Sequence, residues 1–159
     1  MLKLTKKADY GLISLKHLAI KHGSASAKEI SDTYDIPLPL LSKVLQKLAK
    51  SGFLQSEHGT NGGYRLRMHP SKITTLAVIR AIDGPVFLTS CFTEHSACGQ
   101  SEHCNVREPL RKLHDGIQQL LSDLTILDMC NEEEAAECRA GETAPAFQAH
   151  STLHEIRNL

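Results

Sequence analysis

Apolar residues recur at helical spacing along the first part of the chain. Leu12, Ile13, Leu15, Leu18, Ala19 and Ile20 form a broad stripe between Ala8 and His22, and Gly23 follows as a stop. Ser26-Ala27-Lys28-Glu29 has the form of a capping box, which starts a short second helix ending near Asp35. Ile36-Pro37-Leu38-Pro39 interrupts it, because proline lacks a donor and disfavours helical geometry in its predecessor; Pro39 is nevertheless acceptable in the first turn of a new helix. That third helix, about Pro39 to Lys50, turns Leu41, Val44, Leu45 and Leu48 inward and leaves Ser42, Lys43, Gln46, Lys47 and Lys50 outside.

The period then changes. Phe53 to Glu57 alternates weakly and Tyr64 to Met68 alternates clearly, around the cluster His58-Gly59-Thr60-Asn61-Gly62-Gly63, which predicts a hairpin. Three short helices followed by a basic hairpin is the order of a winged helix-turn-helix, whose third helix enters the DNA major groove. Further on, Thr74 or Thr75 caps a helix from about Leu76 to Ile82, stopped by Asp83-Gly84-Pro85. Residues 88 to 104 lack usable periodicity. A longer helix is expected from Asn105, with Glu108 as capping partner, to about Leu124. It carries Leu110, Leu113, Ile117, Leu120, Leu121 and Leu124 on one face. No nearby segment obviously covers this stripe, so a two-fold dimer interface is favoured over a core helix. A short helix around Thr125 to Met129 follows.

The fold class is thus mostly α with a small β-hairpin wing: a winged helix-turn-helix plus a long dimerisation helix. The expected division is a DNA-binding unit at 1–84, a cysteine loop at 85–105, the dimerisation helix and a short following helix at 106–130, and a loosely ordered acidic tail at 131–159.

Charge sharpens this division. The formal net charge is zero, but residues 1–80 carry 13 Lys+Arg against 5 Asp+Glu, a balance of +8, and residues 81–159 carry 5 against 13, a balance of −8. One half suits phosphates and the other repels them. With no Trp and only seven aromatics, few residues are available to stack single-stranded bases. No run approaches a membrane span and Met-Leu-Lys-Leu-Thr-Lys-Lys lacks a signal-peptide core, so a cytoplasmic location without a membrane partner is expected. Enzyme readings find no phosphate-binding glycine loop, paired acidic motif or nucleophile–base set, and no catalytic residue is assigned.

Five cysteines, an odd number, in a reducing compartment read as metal ligands or redox groups rather than disulfides. Cys91, Cys98 and Cys104 are spaced Cys-x6-Cys-x5-Cys around Gly99. Thiolates select zinc, cuprous copper or an iron-sulfur cluster, and structural zinc more often shows closer pairs. A zinc-stabilised protein and a metal-free thiol switch stay open from spacing alone. His95 and His103 read as solvated neighbours. Cys130 is expected to be a buried apolar thiol and Cys138 an idle one in the tail.

Lysines on the third helix and Arg65 and Arg67 on the hairpin suit phosphates, while Ser42, Lys43 and Gln46 are placed for base edges, since Gln pairs adenine and Lys pairs guanine.

Several segments together carry a specific resemblance. They are Leu4-Thr5-Lys6-Lys7-Ala8-Asp9-Tyr10-Gly11, Leu40 to Gly52, Gly59-Thr60-Asn61-Gly62-Gly63-Tyr64-Arg65-Leu66, and Ala81-Ile82-Asp83-Gly84-Pro85 ahead of the three cysteines. Over residues 1–129 the chain resembles the iron-sulfur winged-helix transcription regulators that include IscR, NsrR and the SUF-operon regulators. The resemblance implies a homodimer on double-stranded DNA at a dyad-symmetric operator, with the long helices crossing at the two-fold axis. It also implies a 2Fe-2S or 4Fe-4S cluster on Cys91, Cys98 and Cys104. Members similar to IscR place a His three residues beyond the last cysteine, where this chain has Arg107, which does not ligate iron. Members similar to NsrR take a carboxylate from the first helix of the other subunit, which here is Asp9. The DNA contacts implied are Lys6, Ser42, Lys43, Gln46 and Lys47 on the helices and His58, Thr60, Asn61 and Arg65 in the wing. Leu38-Pro39, Ser42 to Leu45 and Gly84 to Thr89 look most like the SUF-operon regulators, implying a repressor of cluster-assembly genes; a nitric-oxide or redox sensor of NsrR type is the nearest alternative.

Overall fold

The computed structural model describes residues 3–57, 59, 62–93 and 98–140. The first helix, α1 (Lys6–Lys21), starts two residues earlier than its apolar stripe, because the Thr5 hydroxyl accepts from the Ala8 N–H at 3.1 Å and caps it. It lays Ala8, Leu12, Leu15, Leu18 and Ala19 into the core. Buried Ser14 satisfies its hydroxyl by donating to the Tyr10 carbonyl at 2.6 Å. In α2 (Ala27–Tyr34) only half of the expected capping box forms. Ser26 Oγ accepts from the Glu29 N–H at 3.0 Å, but the Glu29 carboxylate turns to Lys21 and, at 3.6 Å, to His17 on α1. The Glu29 carboxylate thereby ties α2 to α1 instead of closing a local cap.

The turn out of α2 places Asp35 in the left-handed region and buries Ile36, whose N–H donates to the Ser31 carbonyl at 3.1 Å while Ser31 Oγ donates back to the Ile36 carbonyl at 2.6 Å. Two hydrogen bonds across this turn hold α2 and α3 (Leu38–Lys50) as a rigid pair. Leu41, Val44, Leu45 and Leu48 are the buried face of α3, as the spacing predicts.

Strands β1 (Leu54–Glu57) and β2 (Gly63–Leu66) form the antiparallel hairpin, in the register Leu54 with Leu66, Gln55 with Arg65, Ser56 with Tyr64 and Glu57 with Gly63. Tyr64 also exchanges two backbone hydrogen bonds with Ala25, at 2.9 and 3.0 Å, so the wing is anchored to the chain that enters α2. This anchor demands glycine at 63, since a Cβ there would lie 2.5 Å from the Ala25 carbonyl oxygen, a backbone atom that cannot swing aside. Gly63→Ala is expected to lower stability by about 1–3 kcal/mol, read as a lower urea midpoint, because the strand must retreat from Ala25 or strain against it.

Helix α4 (Thr75–Asp83) is capped by Thr74, whose hydroxyl accepts from the Ala77 N–H at 3.2 Å, and is stopped at Gly84 with φ 90°. It packs on α1 so closely that Gly11 has no room for a Cβ beside Ile82. Helix α5 (Arg107–Asp123) begins later than Asn105, and Glu108 pairs with Arg111 at 2.8 Å instead of closing a capping box. Its far end returns to the core, where the Thr75 N–H donates to the Leu124 carbonyl and the Ile126 N–H to that of Ile73, at 2.8 and 2.9 Å. A 3-10 turn over Leu127–Met129 replaces the short helix expected there.

The expectation of a loosely ordered tail from residue 131 is corrected for its first part. Residues Glu132–Ala140 form α6, which packs on α1 and buries Ala135 and Cys138. Its acidic run Glu132 to Glu134 lies at a helix N-terminus, where the dipole and the orphan amides favour carboxylates; Glu134 accepts from the Asn131 N–H and Asn131 Oδ1 from the Glu134 N–H, both at 2.8 Å. Residues 141–159 lie outside the described residues. The cysteine roles reverse accordingly: Cys138 is 3% exposed, whereas Cys130 is half-buried. Among the described residues no helix is long and apolar enough to cross a membrane.

Candidate DNA interface and cysteine site

The outward face of α3 carries Lys43 and Gln46 exposed and Ser42 half-buried, one turn or one residue apart, on a helix held rigid by its leucine face. Lys6 is exposed at the start of α1. Lys47 is engaged within the protein: its ammonium donates to the Ile82 carbonyl at 2.7 Å, clamping α3 to the C-terminal end of α4. A lysine at a helix C-terminus satisfies an orphan carbonyl and meets the negative end of the dipole. In the wing, Arg65 pairs with Glu57 at 3.0 Å and lies 3.5 Å from Gln55 Oε1, so a phosphate has to compete with Glu57 for the guanidinium. His58, Thr60 and Asn61 lie outside the described residues, as does His95.

The three cysteines come together. Cys91, Cys98 and Cys104 line one small cavity of about 40 Å³, with Ser101 and Arg107 completing its wall. Backbone turns shape the loop, the Ser101 N–H donating to the Cys98 carbonyl and the His103 N–H to that of Gln100, both at 3.0 Å. Thr89 Oγ1 lies 3.1 Å from Cys91 Sγ. Among the described residues no three His, Cys, Asp or Glu side chains stand close enough to grip a single ion. The thiols share a cavity without converging on one point. Soft sulfur donors around one hollow, beside the cationic Arg107, are the donor chemistry that an anionic thiolate-ligated iron-sulfur cluster requires. Asp9 is exposed in the first turn of α1 and is not part of this cavity wall.

A polar junction that the sequence reading missed joins this loop to the DNA-reading unit. Arg80 on α4 donates to Gln118 Oε1 on α5 at 2.7 Å, and the Gln118 amide nitrogen donates to the Val86 carbonyl at 3.1 Å and lies 2.9 Å from His114 Nε2. Both outer partners fix the orientation of the amide: Arg80 offers only donors and the Val86 carbonyl only accepts. Nδ1 of His114 meets the Leu88 N–H at 3.4 Å, and its ring stacks on Phe87 and tilts against Phe92, which follows Cys91 directly. A neutral imidazole accepts at one nitrogen only, so just one of these two contacts is a hydrogen bond, and the shorter one, from the Gln118 amide, is the better candidate. Spacing offered one hint, since His114 and Gln118 are i, i+4 polar positions within an otherwise apolar stripe. Their partners on α4 and in the loop are far away in sequence. At the end of α4, Asp83 accepts from the Thr5 hydroxyl at 2.8 and 2.9 Å, so the start of α1, the end of α3 and the cysteine loop all meet on one helix.

Comparison with known proteins agrees with this geometry. Residues 4–132 match the family described as Rrf2, iron-dependent transcriptional regulator. The HTH-type transcriptional regulator NsrR of Shouchella clausii (strain KSM-K16) is 31% identical over 136 residues, 84% of this chain and 91% of that protein. Among solved structures, CymR, described as the global cysteine regulator of B. subtilis, superposes with a TM-score of 0.68 at 27% identity, over 86% of this chain and 98% of that one. IscR of T. potens superposes with a TM-score of 0.64 at 25% identity, over 86% and 91%. With its winged helix-turn-helix, its paired hairpin and a match spanning nearly all described residues, the chain belongs to the Rrf2 family and is a DNA-binding transcription regulator.

Proposed function

We propose that the protein is a cytoplasmic, iron-sulfur-cluster-dependent repressor of cluster-assembly genes, acting as a homodimer on a dyad-symmetric operator. The observation that carries this reading is the single cavity shared by Cys91, Cys98 and Cys104. In the dimer, Asp9 of the other subunit would supply the fourth ligand, because Arg107 holds the position from which a histidine would otherwise reach. A bound cluster supplies an occupant that is sensitive to iron supply and oxidation. The protein's own residues do the rest. The loop is held by Gln118 and His114, Gln118 is held by Arg80, and α4 holds Lys47 at the base of the reading helix. A change in the loop therefore reaches α3 through one rigid helix, and ligand state and DNA affinity become linked.

In this reading residues 1–84 bind DNA, 85–105 hold the cluster and 106–130 dimerise. Ser42, Lys43 and Gln46 face base edges, while Lys6, Arg65 and the wing residues His58, Thr60 and Asn61 follow the backbone. Lys47 acts first as a clamp between helices and only secondarily as a phosphate contact. A sensor of nitric oxide or redox state is the second reading, favoured by the NsrR of Shouchella clausii, which is 31% identical.

The test is to titrate cluster-loaded and cluster-free protein against the promoter of its own operon, anaerobically and at fixed salt. The two forms are expected to differ by about 1–3 kcal/mol, or roughly 5- to 150-fold. Equal affinities for both forms, or colourless protein rich in zinc, would sink the reading. Within the same titration, Gln46→Ala is expected to relax preference at one base position by about 1–3 kcal/mol, and Lys6→Ala to weaken all sequences alike and reduce the salt slope by about one.

A further inference from the structure

The reading helix and the wing leave an open hollow between them. Its volume is about 370 Å³, and it is lined by Ala49 near the end of α3, by Leu54, Gln55 and Ser56 of β1, and by Arg67 just beyond β2. Ala49 shares a stripe of α3 with Ser42 and Gln46, at i, i+4 and i+7, so the residues placed for base edges lead directly to it. Buried Leu54 and half-buried Ala49 give the hollow an apolar part, and exposed Gln55, Ser56 and Arg67 give it a polar one.

Backbone contacts place Arg67. Its N–H donates to the Phe53 carbonyl at 3.0 Å, which extends the hairpin by one pair. Its guanidinium lies by the turn at Gly52, where a Cβ would be 4.0 Å from Nη1 and the chain turns with φ 84°. Strand alternation puts Arg65 and Arg67 on one face of the hairpin, yet their surroundings differ. Arg65 is paired with Glu57 at 3.0 Å, whereas no carboxylate among the described residues pairs with Arg67. The Glu57 charge is thereby neutralised, and Lys50 is exposed one residue beyond Ala49, so the field at the hollow favours an anion.

We propose that this hollow seats the backbone phosphate lying between the two DNA grooves that α3 and the wing occupy. With α3 in the major groove and the wing over the adjacent minor groove, the strand dividing those grooves has to pass between the two elements. The hollow lies on that path. The Arg67 guanidinium takes the phosphate oxygens through its planar fork, the Gln55 amide and Ser56 hydroxyl donate to the same group, and the sugar packs on Leu54 and Ala49. Arg67 is then the wing's charged contact ahead of Arg65, whose guanidinium must first leave Glu57. The site rests on the docking of α3 and the wing described under the proposed function and is independent of the cluster.

The experiment uses the full-length protein and a duplex carrying its own promoter, with affinity measured by fluorescence anisotropy over a series of salt concentrations. Arg67→Ala is expected to weaken binding by about tenfold or more at fixed salt and to reduce the salt slope by about two per dimer, one for each subunit. Arg67→Lys, which restores the charge, is expected to restore the slope. A scan of single methylphosphonate linkages then identifies the phosphate: in each half-site one neutralised linkage weakens the unmutated protein and has no further effect on Arg67→Ala. The proposal is overturned if Arg67→Ala keeps the unmutated salt slope, or if it stays sensitive to every linkage that matters to the unmutated protein. Gln46→Ala, measured alongside, keeps the two readings apart. A changed base preference there with a silent Arg67→Ala removes the phosphate site alone, and silence in both removes the docking of α3 as well.

Discussion

Cys98→Ser purified without oxygen is expected to be colourless and to contain almost no iron or sulfide, while its far-ultraviolet circular dichroism matches that of the unmutated protein. The reason lies in where the residue sits. Cys98 is half-buried in a loop stretch outside any helix or strand and lines the shared cavity, so its loss removes a ligand without opening a void in the leucine core. A serine oxygen is a harder donor than sulfur and holds iron poorly at a site built from thiols. Asp9→Ala, measured in parallel, separates the shared site from a self-contained one. If the partner's first helix completes the cluster, the variant loses cluster stability although Asp9 is outside the cavity wall of its own chain. An unchanged spectrum and lifetime for Asp9→Ala would rule out that fourth ligand and leave the three-thiol assignment standing.

Leu113→Asp combined with Leu120→Asp is expected to convert a dimer into a folded monomer and to lower operator affinity by about 10²-fold or more, because each half-site is then bound alone. No residue of α5 is buried in the single chain, and Leu113 and Leu120 are 54% and 60% exposed. Large apolar side chains left in water along one helix face are a self-complementary surface in a two-fold assembly. Placing carboxylates there costs the monomer little and makes burial against a second copy prohibitive. Sedimentation measures the mass and a band-shift titration the affinity. A variant that remains dimeric with normal operator binding would show that another surface joins the subunits.

Both predictions use elements whose legibility from sequence differed. The reading helix was legible because its four leucine and valine positions repeat at a period only a helix satisfies, and the hairpin because alternation resumes across a glycine cluster. Caps gave the starts of α2 and α4, where Ser26 and Thr74 do the work expected of them. Local signals misled where a charged partner outcompeted the backbone cap: Glu29 left its own cap for Lys21 on α1, and Glu108 turned to Arg111 one turn along its own helix. The helix at Glu132–Ala140 was hidden for a related reason. Its apolar contribution amounts to Ala135 and Cys138, too few to make a periodic stripe, yet enough once α1 offers a complementary surface.

What the sequence determined by itself was the kind of molecule: a basic reader, an acidic second half, an amphipathic long helix and three thiols within one loop. These follow from interactions within a few residues of chain and from charge, which composition and periodicity record directly. Only the tertiary structure decided that the three thiols share a cavity, that Lys47 is a clamp on α4, that Arg80, Gln118 and His114 join the loop to the reader, and that Cys138 lies in the core with its thiol on the Ala19 carbonyl of α1. Each of those contacts joins residues from different elements. Such a pairing depends on how helices cross, on the room that Gly11 leaves for Ile82 and on the path of the returning chain at Leu124, and no local pattern of residues encodes it.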